Sequence, residues 1–463
     1  MAGRKKGCSH QALQLEPSAC AQKVGYNWIS PDRRLAATTK SGRNPLAAKG
    51  QRPGVLEKLT EDATDKLSGA FPGPLVLPND NLADDPKYPP QSFRFWLNES
   101  LRKNNKPNKK RNTLYIATAP EIASSMKFMK EWSRPNPRKG ESSRAGDMLN
   151  SLPSEDIIKY TGAFYHGMPV KAFPHRLQFV PWTEPKRSAK PSGGVEYVGL
   201  LAGNSCTRIR ARPPPDGAFK RQLNLEDLLD AAIEMLPGDA YSLLLLFDQD
   251  MYEDEEDDFC CGRAYGGNRV AVVSTARYHP ALDDHAAIDF AHMWPASHCK
   301  AYVDSVCIAE GLEPDAKAKT QKASTPGPLW AALEAAKGLD EPPTVADQKG
   351  LWFSRLARTV VHELGHCLGL DHCVYYACVM QSTAGMAEDV RQPPYLCPVC
   401  LGKVSHTIAY ELSGQDEAGK EEYVKERYKA IAEFCDSWKH VGLFAGYAAW
   451  LRARLEQLES DRS

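Results

Sequence analysis

No stretch of this chain approaches the roughly 20 consecutive apolar residues that a membrane-spanning helix requires. The longest apolar segments, LLLLF at 243–247 and VGLFAGYAAWL at 441–451, read as a core strand and part of an amphipathic helix. Net charge is missing too. The 58 basic and 58 acidic residues cancel, so no global field draws the chain to nucleic acid or a membrane surface, and neither is expected as a partner. No glycine loop of the phosphate-cradling kind is present. The acidic run EDEEDD at 253–258 lacks the glycine and alternating ligands of a calcium loop, and reads as a solvated face. MAGRKKGCSHQ at 1–11 has basic residues with no apolar core behind them, unlike a secretory signal. The expectation is an intracellular protein, cytoplasmic or nuclear, with KKR at 109–111 too short to choose between the two. Internal repeats are absent.

What the chain does have is cysteine, thirteen in all. In a reducing compartment that number is better explained by metal binding than by a disulfide framework, and being odd it leaves at least one thiol unpaired. The 463 residues can bury a sizeable core, and the plentiful Pro (34) and Gly (33) cluster in segments around it. Residues 1–85 show little periodicity and predict a mostly disordered tail. Within it Cys8, His10 and Cys20 could bind metal or cover a site, free thiols being the plainer reading. TLYIATA (113–119), YTGAFYH (160–166), LQFVPW (177–182), SLLLLF (242–247) and RVAVVSTARY (269–278) predict strands. Residues 120–132 predict a helix. NLEDLLDAAIEM (224–235) predicts a capped amphipathic helix, LWFSRLARTVVHELGHCLG (351–369) a long one, and 418–457 one or two more. Segments at about 134–147, 185–194 and 310–345 read as insertions.

The chemistry concentrates in HELGHCLGLDHC, 362–373. His362 and His366 stand one helical turn apart on one face, so both imidazoles can reach one ion. Glu363 lies about 100° round the helix, beside the ligands, where a base acting on water would sit. Gly369 can take the left-handed conformation that ends a helix, letting His372 return to the same ion. Three histidines with one open position make a catalytic zinc pattern rather than a closed structural one. A bare HExxH is weak evidence; the added glycine and third histidine make it specific. Cys373, Cys378, Cys397 and Cys400 form two pairs about twenty residues apart, the layout of a closed four-thiolate zinc site. A redox CxxC is the alternative, although it would have no use for the first pair. Cys367 points to another helix face, and Cys206, Cys260, Cys261, Cys299, Cys307 and Cys435 show no ligand spacing. The loop HMWPASHC (292–299), with His292, His298 and Cys299, could be a third site but reads more simply as a packed loop.

HELGHCLGLDHC, then VYYAC, VM, sixteen residues and CPVC closely resembles the archaemetzincins, a branch of the metzincin metallopeptidases. The likeness reaches back through GRAYGGNRVAVVSTARYHP, 262–280. It implies an α+β fold: a catalytic domain over 86–412 with a twisted mixed sheet, an active-site helix, a small zinc-bound C-terminal lobe, and C-terminal helices over 413–463. It implies two zinc ions per chain, a catalytic one on His362, His366 and His372 and a structural one on Cys373, Cys378, Cys397 and Cys400. Glu363 would be the general base and Met380 an apolar floor beneath the histidines. A peptide or protein substrate is expected, extended along an edge strand for which RVAVVSTARY is the candidate. A zinc-stabilised binding module without catalysis, or a zinc hydrolase of a non-peptide substrate, are the alternatives. If the chain is extended at His372–Cys373, their side chains point to opposite sides, so the pair would join two metal sites.

Overall fold

The computed structural model describes residues 8–48, 52–136, 149, 152, 154–182, 196–314, 316–322, 327–339 and 344–460. The predicted insertions at about 134–147 and 185–194 lie almost wholly outside them. The architecture is α+β, built on a five-stranded mixed sheet. Its order is Gly262–Tyr265, Val270–Ser274, Ala240–Phe247, Thr113–Ala117 and Val170–Ala172. The first pair is antiparallel and the remaining pairs are parallel. Both faces are covered, which is why SLLLLF and VAVV read as continuous apolar runs instead of alternating ones. Leu244, Leu246, Ala271 and Val273 face the helix Val345–Cys367 through Val360, Val361 and Leu364. Leu243, Leu245, Val270 and Val272 face the helix Leu225–Met235 and part of a second, six-stranded sheet. Asn224 caps that helix by accepting from the Asp227 amide at 3.1 Å.

Val345–Cys367 begins in a capping box, with the Thr344 hydroxyl and the Asp347 carboxylate each serving the other residue's backbone. Two buried arginines fix its long axis. Arg355 forks onto Asp283 at 2.6 and 3.0 Å, and Arg358 meets Asp389 at 2.6 Å. The helices Glu417–Asp436 and Gly442–Ser460 close the same core through Tyr428, Ile431, Trp450 and Leu451.

Four expectations need correcting. Residues 8–48 and 52–85 are not a disordered tail. They carry the strand Ala12–Gln14 and the helices Ala19–Lys23, Pro31–Ala37, Pro53–Ser68 and Asn81–Asp84, and bury Leu13, Tyr26, Phe71 and Val76 in the main core. Most of these elements are short, the sixteen-residue helix Pro53–Ser68 buries only Thr60, Thr64 and Ser68, and partners lie hundreds of residues away, so no local window carries an apolar signal; Tyr26 donates to the Val374 carbonyl at 2.8 Å. YTGAFYH is not a strand but mostly the end of the helix Ser154–Phe164. Ile157, Tyr160, Thr161 and Phe164 are its buried face, spaced three, four and seven apart, a period visible only from a window opened earlier. Residues 120–132 hold a two-residue strand, Glu121–Ile122, and the 3-10 segment Ser124–Glu131 in place of an α-helix. Within 310–345, Thr320–Lys322 pairs antiparallel with Ala12–Gln14 and Pro328–Ala336 packs into the core, so the described part of that segment is structural. No helix among the described residues is long and apolar enough to cross a membrane.

Candidate metal centres

His362 and His366 project from the last two turns of Val345–Cys367, with their Nε2 atoms 3.0 Å apart. The helix then stops on a Schellman motif. The Leu370 amide donates to the Gly365 carbonyl at 3.1 Å and the Gly369 amide to the His366 carbonyl at 2.9 Å. Gly369 sits at φ +77°, the left-handed conformation its place requires. The turn brings His372 back, its ring 5.4 Å from His362 and 4.9 Å from His366, and one nitrogen of each ring lies within 4.8 Å of the others. Backbone carbonyls orient two of the rings: His362 Nδ1 donates to Val379 at 2.7 Å and His366 Nδ1 to Leu370 at 2.6 Å. That arrangement fixes the tautomers and leaves both Nε2 lone pairs for a cation. Burial keeps the rings neutral. It lowers His362; it lowers His366 further, with His362 and His372 adding repulsion; and it takes His372 to about 3, with His362 and Arg263 adding to the drop.

Glu363 lies beside the three rings at the wall of a cleft of about 750 Å³, which the histidines, Tyr88 and Arg263 also line. Burial pushes its carboxyl up to about 8, and Arg263 pulls the other way. The edge strand Gly262–Tyr265 runs directly past it, and a Cβ on Gly262 would stand 3.1 Å from Glu363 Oε1. Beneath the helix, a Cβ on Gly365 would stand 2.6 Å from the sulfur of buried Met380. This close approach is what a glycine inside the helix permits.

Cys373, Cys378, Cys397 and Cys400 converge into one fully enclosed group. Cys373 and Cys397 sulfurs lie 3.5 Å apart, and Cys378 Sγ accepts from the Cys397 amide at 3.3 Å. Hydrogen bonds from Cys378, Cys397 and Cys400 pull the Cys373 thiol well below its ordinary range, while burial pushes Cys378 and Cys397 well above theirs. A cation in the middle is what would let four thiolates coexist in a dry core.

The two groups share backbone. The Cys373 amide donates to the Met380 carbonyl at 2.7 Å, the Val379 amide to Tyr395 at 2.9 Å, and the Val379 carbonyl holds His362. The thiol loop therefore carries His372 at one end and orients His362 at the other. Sequence reasoning missed the support from the other side. Gln91 donates to the Gly369 carbonyl at 3.0 Å and accepts from the Asp371 amide at 3.1 Å, itself held by buried Lys403. Tyr88 lies against His372, ring centres 5.6 Å apart. No motif marks these residues, and none could, since the contacts span about 280 residues.

RVAVVSTARY is not the edge strand. Val270–Ser274 lies between Gly262–Tyr265 and Ala240–Phe247, and the edge is Gly262–Tyr265. A short antiparallel strand folded back across a turn displaces the longer one inward, and its GRAY sequence carries too little apolar character to show this. Cys367 is buried on the core face of its helix. Cys299 does join a ligand group, with Cys8, His10 and His292. His298 stays apart, its Nε2 on the Gly73 carbonyl at 3.1 Å, and Cys20 is buried within its own helix.

Residues 338–406 match the model of Peptidase family M54. Archaemetzincin-2 of Homo sapiens is 23% identical over 386 residues, covering 82% of this chain and 79% of its own length. Archaemetzincin-1 of Homo sapiens is 28% identical over 205 residues, 44% of this chain and 34% of that one. The crystal structure of an archaemetzincin from Methanopyrus kandleri aligns over 65% of this chain and 97% of its own, at 17% identity and a TM-score of 0.30.

Proposed function

We propose that this chain is an archaemetzincin-type zinc-dependent peptidase whose reacting centre is His362, His366 and His372 with Glu363 as general base. The observation that carries the reading is the donor set. Three half-buried neutral imidazoles, two with Nε2 freed by carbonyl hydrogen bonds, converge at the wall of an open cleft beside one carboxylate. Zinc is the ion that suits three nitrogen donors with an open position.

When bound, zinc supplies a Lewis acid that makes a water acidic near pH 7 and polarises a carbonyl. Glu363 accepts the proton of the attacking water and delivers it to the departing amine. Burial raises the proton affinity of the Glu363 carboxylate, which suits a group that takes a proton and then passes it on. The His372 turn, held by Gln91, keeps the third imidazole on the cleft side. The substrate extends along Gly262–Tyr265, where the free edge offers backbone hydrogen bonds, and Gly262 leaves Glu363 room against the strand. Cys373, Cys378, Cys397 and Cys400 hold a second, structural zinc.

A diverse peptide library incubated with wild-type protein and with Glu363→Gln tests the reading. Cleavage by the wild type and none by the variant is expected. Identical profiles, or no cleavage by either, would sink it.

A further inference from the structure

We propose a third metal site, a closed zinc site built from Cys8, His10, His292 and Cys299, which fastens the N-terminal segment to the body of the protein. One ligand atom from each of the four residues lies within 4.8 Å of the others. The sulfurs of Cys8 and Cys299 stand 3.4 Å apart. Two thiolates on one tetrahedral zinc, each at about 2.3 Å, stand roughly 3.8 Å apart, whereas a disulfide needs about 2.05 Å. The spacing is close to that of shared ligands.

The two histidines are prepared from behind, each by a different acceptor. His292 Nδ1 meets Asp289 Oδ2 at 2.7 Å, which leaves its buried Nε2 for the Cys299 and Cys8 sulfurs beside it. A carboxylate on the far nitrogen is the usual support of a metal-bound imidazole, fixing its orientation and raising its basicity. Stacking on Tyr302, with ring centres 4.2 Å apart and planes 11° from parallel, holds the ring still. His10 Nε2 is engaged by the Ala291 carbonyl at 3.1 Å, which assigns Nδ1 to the ion. The rings meet edge to face at 5.5 Å, which lets a nitrogen of each approach the two sulfurs. Two thiolates and two imidazoles with no open position form a structural set.

The location gives the site a purpose. Cys8 and His10 immediately precede Ala12–Gln14, the strand paired with Thr320–Lys322, and Leu13 also bridges to Cys299. The paired strands are only three residues long, a short contact on which to hold the segment that carries Cys8 and His10. On the other side the Trp294 amide donates to the Val390 carbonyl at 3.0 Å, next to the Asp389 that anchors Arg358 of the active-site helix. The third zinc thus ties the first described residues to the framework that holds the helix.

Zinc content of the full chain, purified under reductant, tests this against Cys8→Ser and His10→Gln. These positions are remote in sequence from the other metal groups, and circular dichroism checks that each variant is folded. Wild type should carry about one zinc more per chain than either variant. Equal content would overturn the site. If both variants fail to fold, alkylation of the wild type decides. Cys8 should resist iodoacetamide until a chelator is added, and labelling of Cys8 at the same rate with and without chelator would overturn it.

Discussion

The histidine group and the four-thiol group meet at the adjacent residues His372 and Cys373, yet they are opposites. The histidines are neutral donors at the wall of an open cleft, three in number, with a carboxylate beside them. The thiols are four, fully enclosed, and able to ionise together only around a cation. Openness and donor count divide the labour: an incomplete shell can act on a substrate, and a complete one can only hold its own loop in place. Because the Val379 carbonyl and the Cys373 amide belong to that loop, the closed group orients the His362 ring and the backbone beside His372.

Removing the base should break this comparison on the open side with the largest effect. Glu363→Gln is expected to lower kcat by about 10²–10⁴-fold, as loss of a general base does, with zinc content unchanged by elemental analysis. Loss of zinc from this variant would mean that Glu363 is a ligand. Cys373→Ala should come next. It disturbs the backbone next to His372, and the expected loss of activity is about 10–100-fold, the usual effect of a residue that orients a ligand. Normal cleavage by a folded Cys373→Ala protein would separate the two sites altogether.

Smaller changes sharpen the picture. Gly365→Ala would bring a methyl within 2.6 Å of the Met380 sulfur. Met380 would have to move in a packed core, at a cost of about 1–3 kcal/mol by thermal or urea unfolding. An unchanged midpoint would show that the floor beneath the histidines is slack. The smallest effect concerns pH. His372 is held at about 3 in the metal-free fold, below its ordinary value, chiefly by burial. Above pH ~6.5 the ring is neutral folded or unfolded and contributes nothing; as pH falls toward ~3 the unfolded chain alone takes up the proton, so stability is lost through that window. In protein stripped of the histidine metal, His372→Gln should therefore lose less of its Tm between pH 7 and 4 than the wild type, by a few degrees. Parallel pH profiles for the two would contradict the burial argument.

Sequence alone reached the two groups because their ligands are local. HELGH sets two imidazoles on one helix face, Gly369 marks the turn, and both thiol pairs lie within thirty residues of one another. It failed wherever the partner was distant. Gln91, Lys403 and Tyr88 support the His372 turn across long gaps, and no spacing rule announces them. Cys8 and His10 looked like part of a tail because their counterparts lie about 280–290 residues away. The interior place of Val270–Ser274 depends on a neighbouring strand with weak character of its own. YTGAFYH misled for a narrower reason, since its helical period begins at Ile157, ahead of the stretch that looked like a strand.

Timed removal of zinc by a mild chelator, with metal content, peptide cleavage and near-UV circular dichroism followed on the same samples, tests the division between open and closed sites most directly. The first equivalent to leave is expected to take the cleavage activity with it while the tertiary signal stays unchanged, and restored zinc to restore cleavage. Loss of a first equivalent with full activity remaining, or activity that falls only as the fold does, would contradict that division.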